Sequence, residues 1–369
     1  MYHILVMDVN RRSLGRRATL KEVAAEVGVS PATVSNAYNR PNQLSPELRE
    51  RVLETARRLG YSGPDPMARG LRRRRAGAVG VLYENRLSYA FADPAEVLFL
   101  RGVSVATEEA GLGLLLLSGA PREERDPEVV GGAVVDGFVV YSMADDDPLV
   151  SAALDRRLPT VIVDEPRIEG LPFVGIDDEA AARVAAEHLT NLGHERFSVL
   201  SFLLTSGASS GIADLSRQRS TLYSLERSRL RGYAATIEAA GLSWTDVLVY
   251  ECAENLPEEG HAAAQVLLLS EPRPTAILTL SDQLAFGAIQ AAKELGLSVP
   301  EDLSIVGFDD VPEAARATPP LTTVYQPHME KGLRAGQILI SQLREEELPS
   351  PEFLPTRLVV RGSTAPPAR

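Results

Sequence analysis

The chain has 369 residues, 44% of them hydrophobic and 24% charged, with a formal net charge of −12. That length exceeds one compact core, and that balance excludes a disordered chain. One cysteine, Cys252, excludes an internal disulfide and a thiolate metal cluster.

Charge is unevenly spread. Residues 1–75 hold 15 Arg or Lys against 7 Asp or Glu, a net of +8, so the remainder carries −20. A basic leading segment on an acidic body predicts a nucleic-acid reader joined to a domain with another task. Residues 1–17 read as a basic N-terminal tail. The opening Met1-Tyr2-His3-Ile4-Leu5-Val6 has no basic run before its short apolar stretch, and no later run is long and apolar enough to span a bilayer. Neither export nor membrane insertion is expected, which leaves the cytoplasm.

Residues 18–63 predict a three-helix headpiece. Thr19-Leu20-Lys21-Glu22 is a capping box, and Leu20, Val23, Ala24 and Val27 recur at helical spacing behind it. Gly28 stops this helix. Ser30 caps a second, with Pro31 at the first position, where a missing N–H costs nothing. Two short helices joined at Gly28-Val29-Ser30 form a helix–turn–helix, whose second helix enters a DNA major groove. Ser45-Pro46 starts a third helix carrying Leu48, Val52, Ala56 and Leu59, closed by Gly60. Residues 64–75 follow as a linker. Its prolines and glycine make a poor independent helix, and Arg72 to Arg75 would lie along phosphate.

From Ala76 the pattern becomes short β-branched runs alternating with amphipathic helices. The first set of strands lies at Ala78–Leu82, Gly113–Leu117, Gly137–Tyr141 and Thr160–Val163; the second lies at Phe197–Leu200, Asp246–Val249, Ala276–Thr279 and Leu303–Val306. Helices are expected near Glu96–Ala110, Asp178–Leu192, Arg229–Ala240, Gly260–Leu269 and Asp282–Leu295. Such alternation means two mostly parallel sheets covered on both faces, hence two Rossmann-like lobes. No G-x-G-x-x-G opens a helix after a strand, so no dinucleotide cofactor is expected, and none of any other kind.

Ligands of open α/β sheets sit beyond the carboxyl ends of the strands. That rule points to Asp164, Asp282 and Asp309, with Arg229 opening a helix as Arg229-x-x-Gly232. Carboxylates that accept paired hydroxyls and a guanidinium that holds oxygens in a fork suit a sugar or nucleoside. An aspartate after a strand is equally a helix cap or a rim residue.

The chain resembles the LacI/GalR family of bacterial transcriptional regulators. The resemblance rests on Ala18 to Ala24, Gly28-Val29-Ser30, Thr33-Val34-Ser35 and Leu59-Gly60-Tyr61 in the headpiece. It continues through Pro64 to Leu71, Asp177 to Ala186, His188-Leu189, Leu192-Gly193-His194, Gly307 to Asp310 and Pro320 to Val324. It implies a helix–turn–helix headpiece with a hinge helix, and a periplasmic-binding-protein-like body at residues 76–369 for effector binding and dimerisation. Lobe one would span about 76–175 and 326–350, and lobe two about 176–325 and 351–362.

By the same resemblance, base reading falls to Pro31, Ala32 and Asn36, where Asn36 can pair with adenine. Thr19, Ser30, Thr33, Ser35, Tyr38 and Asn39 would serve phosphate contact or register, and Ala68, Arg69 and Arg72 would touch DNA from the hinge. Leu71 matches the leucine that wedges into the minor groove at the operator centre. In the body, Tyr89, Phe91 and His328 join Asp164, Arg229, Asp282 and Asp309 as effector contacts. Asp310 is expected to be structural, and His188 and His194 to serve packing and capping.

Leu204 to Glu226 is longer than the family's usual connection and reads as a lid or binding loop. Ser363 to Arg369 carry no leucine heptad, so no C-terminal tetramer bundle is expected. The expected function is a homodimeric, operator-binding repressor controlled by a small effector; a corepressor-dependent or activating regulator is the alternative. An enzyme is not expected: five scattered histidines and one cysteine supply neither a nucleophile–base pair nor a metal cluster.

Overall fold

The computed structural model describes residues 18–63, 75–118, 125–205, 210–346 and 352–368. The chain divides into two units, Met1–Ala76 and Gly77–Arg369. The basic tail (1–17) and the hinge positions Ala68, Arg69, Leu71 and Arg72 lie outside the described residues.

In the headpiece, α1 (Leu20–Val27) starts at the expected capping box. The Thr19 amide donates to Glu22 Oε2 at 2.7 Å, and Thr19 Oγ1 accepts from the Glu22 amide at 3.3 Å. Gly28 ends it at φ 78°, a left-handed conformation that favours glycine. Ser30 Oγ accepts from the Thr33 amide at 3.1 Å and so caps α2 (Pro31–Asn39). Ser45 caps α3 (Pro46–Leu59) in the same way. Val23, Ala24, Val34, Ala37, Val52 and Ala56 form one buried cluster where the three helices meet. Each buried valine contributes about 1.5–3 kcal/mol, a small core that leaves caps and turns a large share of the stability.

The body begins with β1 (Ala78–Tyr83), α4 (Leu87–Ala90), α5 (Pro94–Ala110), β2 (Gly113–Ser118), α6 (Pro127–Gly131), β3 (Gly137–Tyr141), α7 (Pro148–Asp155), β4 (Thr160–Val163) and β5 (Phe173–Gly175). There follow α8 (Asp178–Asn191), β6 (Phe197–Ser201), β7 (Gly211–Ile212), α9 (Leu215–Arg219), α10 (Ser224–Ala239), β8 (Leu248–Glu251), α11 (Pro257–Leu268), β9 (Ala276–Thr279), α12 (Asp282–Glu294), β10 (Ser304–Asp309) and β11 (Thr322–Tyr325). The chain closes with α13 (His328–Leu343), β12 (Glu352–Phe353) and β13 (Arg357–Val359).

The first sheet has the order β12-β5-β4-β3-β1-β2 and the second β13-β11-β10-β9-β6-β8-β7. All pairings are parallel except β11 with β13 and β7 with β8. Central strands such as β3, β9 and β10 are buried throughout, which is why they read as continuous apolar runs rather than alternations. Each lobe also holds a helix pair whose backbones meet at glycine. A Cβ on Gly102 of α5 would strike the Met329 carbonyl of α13, and one on Gly287 of α12 would strike the Pro257 carbonyl at α11.

Three crossings join the lobes. The first two fall after β5 and at Gln326-Pro327, close to expectation. The third falls a few residues past 350. Glu352 and Phe353 still pair with Val174 and Gly175 of the first sheet, so the chain crosses at Leu354–Thr356. A two-residue edge strand leaves too little pattern to be seen in advance. Two other boundaries also moved. Helix α10 begins at Ser224, before Arg229, and the strand expected at 246–249 starts at Leu248, after a 3-10 turn over Trp244–Asp246.

The long connection 204–226 is mostly built structure among its described residues. β7 extends the second sheet, Gln218 Nε2 donates to the Ala213 carbonyl at 2.8 Å, and Trp244 Nε1 donates to Gln218 Oε1 at 2.9 Å. Arg217 pairs with the fully buried Glu251. His188 and His194 hold the C-terminal segment: His188 Nε2 lies 2.9 Å from Thr364 Oγ1, and His194 Nε2 lies 2.9 Å from the Ala365 carbonyl.

Candidate functional sites: the headpiece face and the interlobe cavity

The headpiece presents its polar residues along one short helix. Pro31 and Ala32 are exposed, Thr33, Ser35, Asn36, Tyr38 and Asn39 half-buried, and Val34 and Ala37 point into the core. Thr19 and Ser30 are exposed caps at the starts of α1 and α2. Asn39 Nδ2 donates to the Ser35 carbonyl at 3.0 Å and lies 3.2 Å from Ser35 Oγ, so these two residues order each other. Tyr38 packs edge-on against Tyr61 with ring centroids 6.0 Å apart, which makes it part of the core as well as of the rim. The Asn36 amide bonds to no other described residue. That is the condition a base-reading side chain needs.

Between the two sheets lies a cavity of about 720 Å³. It opens where the carboxyl ends of β1, β3, β4, β6, β8, β9 and β10 converge, as the topology of parallel sheets requires. Five of the seven anticipated effector residues border it: Tyr89, Asp164, Arg229, Asp309 and His328. Asp164 and Asp309 end β4 and β10 at φ 62° and 121°, conformations that cost an aspartate energy and turn its carboxylate off the strand. Buried Lys331 donates to Asp164 Oδ1 at 2.6 Å and to Gln326 Oε1 at 2.5 Å, and Gln326 Nε2 donates to Asp309 Oδ1 at 2.5 Å. His328 Nε2 lies 3.5 Å from Asp309 Oδ1, and neither ring nitrogen has a hydrogen-bond partner among the described residues.

Arg229 is 2% exposed. Its Nε donates to Asp178 Oδ1 at 2.9 Å, its Nη1 donates to the Leu280 carbonyl at 2.6 Å, and its guanidinium stacks 3.6 Å from the Phe308 ring centroid. It is a fixed wall of the cavity, spanning α10, α8 and the ends of β9 and β10.

Two anticipated residues fall elsewhere. Phe91 is 63% exposed and outside the lining. Asp282 is fully buried behind β10, where it accepts from Thr323 Oγ1 at 2.5 Å and from the Val311 amide at 2.9 Å. Gly307 lies against it so closely that a Cβ there would collide with Oδ1. Burial, then the nearby Asp309 charge, pushes the Asp282 carboxyl well above the usual carboxylate range. Asp282 ties strand to loop and lies outside the cavity lining. Asp310 is structural as expected, paired with Arg361 at 2.7 Å.

The sequence reading missed most of the acidic lining. Asp93 caps α5 and accepts from Tyr89 Oη at 2.6 Å and from Asn255 Nδ2 at 3.2 Å. Tyr89 Oη also lies 3.1 Å from the Asn255 carbonyl, so this cluster bridges the lobes. Glu165 bridges them again, accepting from Ser224 Oγ at 3.1 Å and the Leu225 amide at 3.0 Å. Tyr223, from the long connection, donates to Glu84 Oε1 at 3.0 Å. Glu96 and Glu226 each keep a buried oxygen without a hydrogen-bond partner among the described residues. Burial, with Asp93 nearby, pushes Glu96 up to about 8, and burial does the same to Glu165. Glu226 rises well above its ordinary value through burial and then the Glu165 charge. Burial thus favours the neutral, hydrogen-donating form of Glu96, Glu165 and Glu226 in this cavity. The Asp93-Pro94 helix start and the Asp164-Glu165 pair were the available signals.

A helix–turn–helix headpiece ahead of a two-lobed body, with a cleft lined from strand ends, defines a class of bacterial DNA-binding regulator. Comparison with known proteins agrees. Residues 19–63 match the family described as bacterial regulatory proteins, lacI family, and residues 186–364 match the periplasmic binding protein-like domain. The chain is 48% identical over 357 residues to the HTH-type transcriptional regulator Rv3575c of Mycobacterium tuberculosis, covering 96% of this chain and 98% of that one. The structure of a LacI-family transcriptional regulator from Corynebacterium glutamicum superposes with a TM-score of 0.73 at 37% identity, covering 95% of this chain and 99% of that one. The CelR–cellobiose complex superposes with a TM-score of 0.67 at 30% identity, covering 94% of this chain and 100% of that one. The chain belongs to the LacI family of bacterial transcriptional regulators.

Proposed function

We propose that this regulator is a cytoplasmic repressor that binds a pseudo-palindromic operator as a homodimer and is released from it by an uncharged, polyhydroxylated effector, a sugar or a nucleoside. Two headpieces on one dimer match two half-sites related by the same two-fold axis. Asn36 reads an adenine edge, Pro31 and Ala32 make apolar contacts, and Thr19, Ser30, Thr33, Ser35, Tyr38 and Asn39 set register on the backbone. The hinge residues Ala68, Arg69 and Arg72 follow phosphate, and Leu71 wedges into the minor groove. An operator occupied in this way is closed to other proteins, which makes repression the natural sign.

The observation that carries the effector reading is the cavity of about 720 Å³ with Asp164 from one lobe and Asp309 from the other on its wall. That volume suits a small ligand. Two of its three arginines are engaged, Arg229 by Asp178 and Arg125 by Glu84 and Asp147, while Arg86 joins Asp93, Glu96, Glu165, Glu226 and Asp309 on the wall. Carboxyls that can donate or accept, side by side, suit a ligand rich in hydroxyls. CelR carries cellobiose in its complex, and a similar ligand class fits here. Ligand between the lobes alters their angle and thereby the spacing of the two headpieces, a coupling of about 1–3 kcal/mol.

The test is fluorescence anisotropy on an inverted-repeat fragment from the gene's own upstream region, with sugars and nucleosides added in turn. Release by one of them, lost in Asp309→Ala, is expected. Tighter operator binding on addition would instead identify a corepressor, and a full response in Asp309→Ala would remove that residue from the site.

A further inference from the structure

We propose that Lys331 is a positioning residue for the effector cavity, holding the ligand carboxylates of both lobes in one orientation without itself reaching the ligand. This rests on the effector reading above. Lys331 lies on α13, is 0% exposed, and is absent from the cavity lining. Its ammonium has two partners, Asp164 Oδ1 at 2.6 Å and Gln326 Oε1 at 2.5 Å. Gln326 passes the restraint on, its Nε2 donating to Asp309 Oδ1 at 2.5 Å. The chain runs unbroken from the end of one lobe's ligand strand to the end of the other's. Gln326 also sits where the backbone crosses between lobes, so the relay occupies a pivot of any lobe motion.

Packing alone gives no reason for a lysine here. A fully buried ammonium costs several kcal/mol in desolvation, and an aliphatic chain of similar length would fill the same space without that cost. What an aliphatic residue cannot do is hold two acceptors at fixed angles. Both aspartates need holding, because each sits at positive φ, where aspartate is strained and other conformations compete. Gln326 further fixes which Asp309 oxygen it occupies, Oδ1. The relay thus selects ligand geometry at a distance, as partners behind metal ligands do.

Several charged groups surround the relay. Asp178 and Glu165 face Asp164 from α8 and the loop after β4; Arg229, Asp282, Asp93 and His328 face Asp309 from α10, α12, the start of α5 and α13. In Lys331→Met, Asp164 loses its buried countercharge among these acids. Ionising it in the folded body then becomes costly, and the variant loses stability relative to wild type as pH rises.

The experiment is thermal unfolding of the full chain, followed by Trp244 fluorescence, at about pH 5.5 and about pH 8. Wild type, Lys331→Met and Lys331→Met/Asp164→Asn are compared. The expected result is a deficit in the single variant that is larger at the higher pH, and a deficit in the double variant that is the same at both. A single variant whose deficit does not change with pH overturns the proposal. Should Lys331→Met not fold, a folded double variant supports the charge relay, and a double variant that also fails assigns Lys331 to packing and overturns it. Calorimetry with cellobiose, ribose and adenosine completes the test. A probe that binds wild type should bind Lys331→Met at least about tenfold more weakly, and equal affinity overturns the proposal. Wild type binding none of the three would count against the effector reading, while the unfolding comparison still decides Lys331.

Discussion

Headpiece and body solve the same problem, holding polar groups ready for a partner, by opposite means. The headpiece keeps its contact residues within Thr19 to Asn39, each aimed by a cap or a turn a few positions away. The body collects its cavity from segments between Tyr83 and His328 and buries the charges it uses. Loss of one contact in the headpiece should therefore stay local. Loss of one in the cavity leaves other buried charges uncompensated and spreads through the unit. Trp244, the sole tryptophan, is buried in the body, so its fluorescence separates the two responses.

The sharpest way to break this comparison is Arg229→Ala. Asp178 would lose its buried partner, and Phe308 would lose the guanidinium stacked on it. Removing one member of a buried pair costs about 3–5 kcal/mol. The Trp244 transition should fall by several degrees while the helical signal of an isolated 18–63 fragment is, by construction, untouched. A change under about 1 kcal/mol would mean that the cavity wall is as locally supported as the headpiece.

A second test uses pH. The Glu96 carboxyl moves from 4.5 to about 8 on folding, because burial and then Asp93 disfavour its charge. A fold that binds this proton more tightly than the unfolded chain has the associated stability in full below about 4.5 and loses it as pH rises through about 8. Glu96→Gln removes the titration. Its melting temperature should lie close to wild type near pH 5 and exceed it by several degrees or more near pH 8, because the unfolded chain releases this proton at about 4.5 and the folded body holds it to about 8. Equal pH slopes for the two proteins would show that Glu96 ionises freely in the cavity.

The same contrast explains what could be read from sequence. The Thr19–Glu22 capping box, the Ser30 and Ser45 caps, Pro31 and Gly28 are local signals with local causes, so the headpiece helices were legible almost to the residue. The two parallel sheets were legible from apolar runs, and the strand-end rule located Asp164 and Asp309. It also selected Asp282, because a strand end does not reveal whether a carboxylate faces the cleft or the back of the next strand. Only the close approach of Gly307 and the Thr323 hydroxyl settles that, and both are distant in sequence. Glu96 stood at the start of an expected helix and Glu226 at the end of a long connection, places where charges are usually solvated, and Lys331 carried no local signal. Their burial is a product of lobe packing. No single segment encodes it.

The smallest effect, and the one that tests locality most directly, belongs to Ser30→Ala. Ser30 Oγ accepts from the Thr33 amide at 3.1 Å and lies 2.9 Å from Thr33 Oγ1, so one truncation frees an N–H and a hydroxyl at the start of α2. Cap removal of this kind costs about 1 kcal/mol. Against a core of six small buried side chains that is a sizeable fraction, and fraying of α2 would also disorder Pro31 and Ala32 beside the cap. Operator affinity should therefore fall about fivefold, as 1 kcal/mol implies, while the Trp244 transition and effector affinity stay at wild-type values. A lowered Trp244 transition in this variant would mean that the headpiece and body do not respond separately, and the comparison drawn between them would fail.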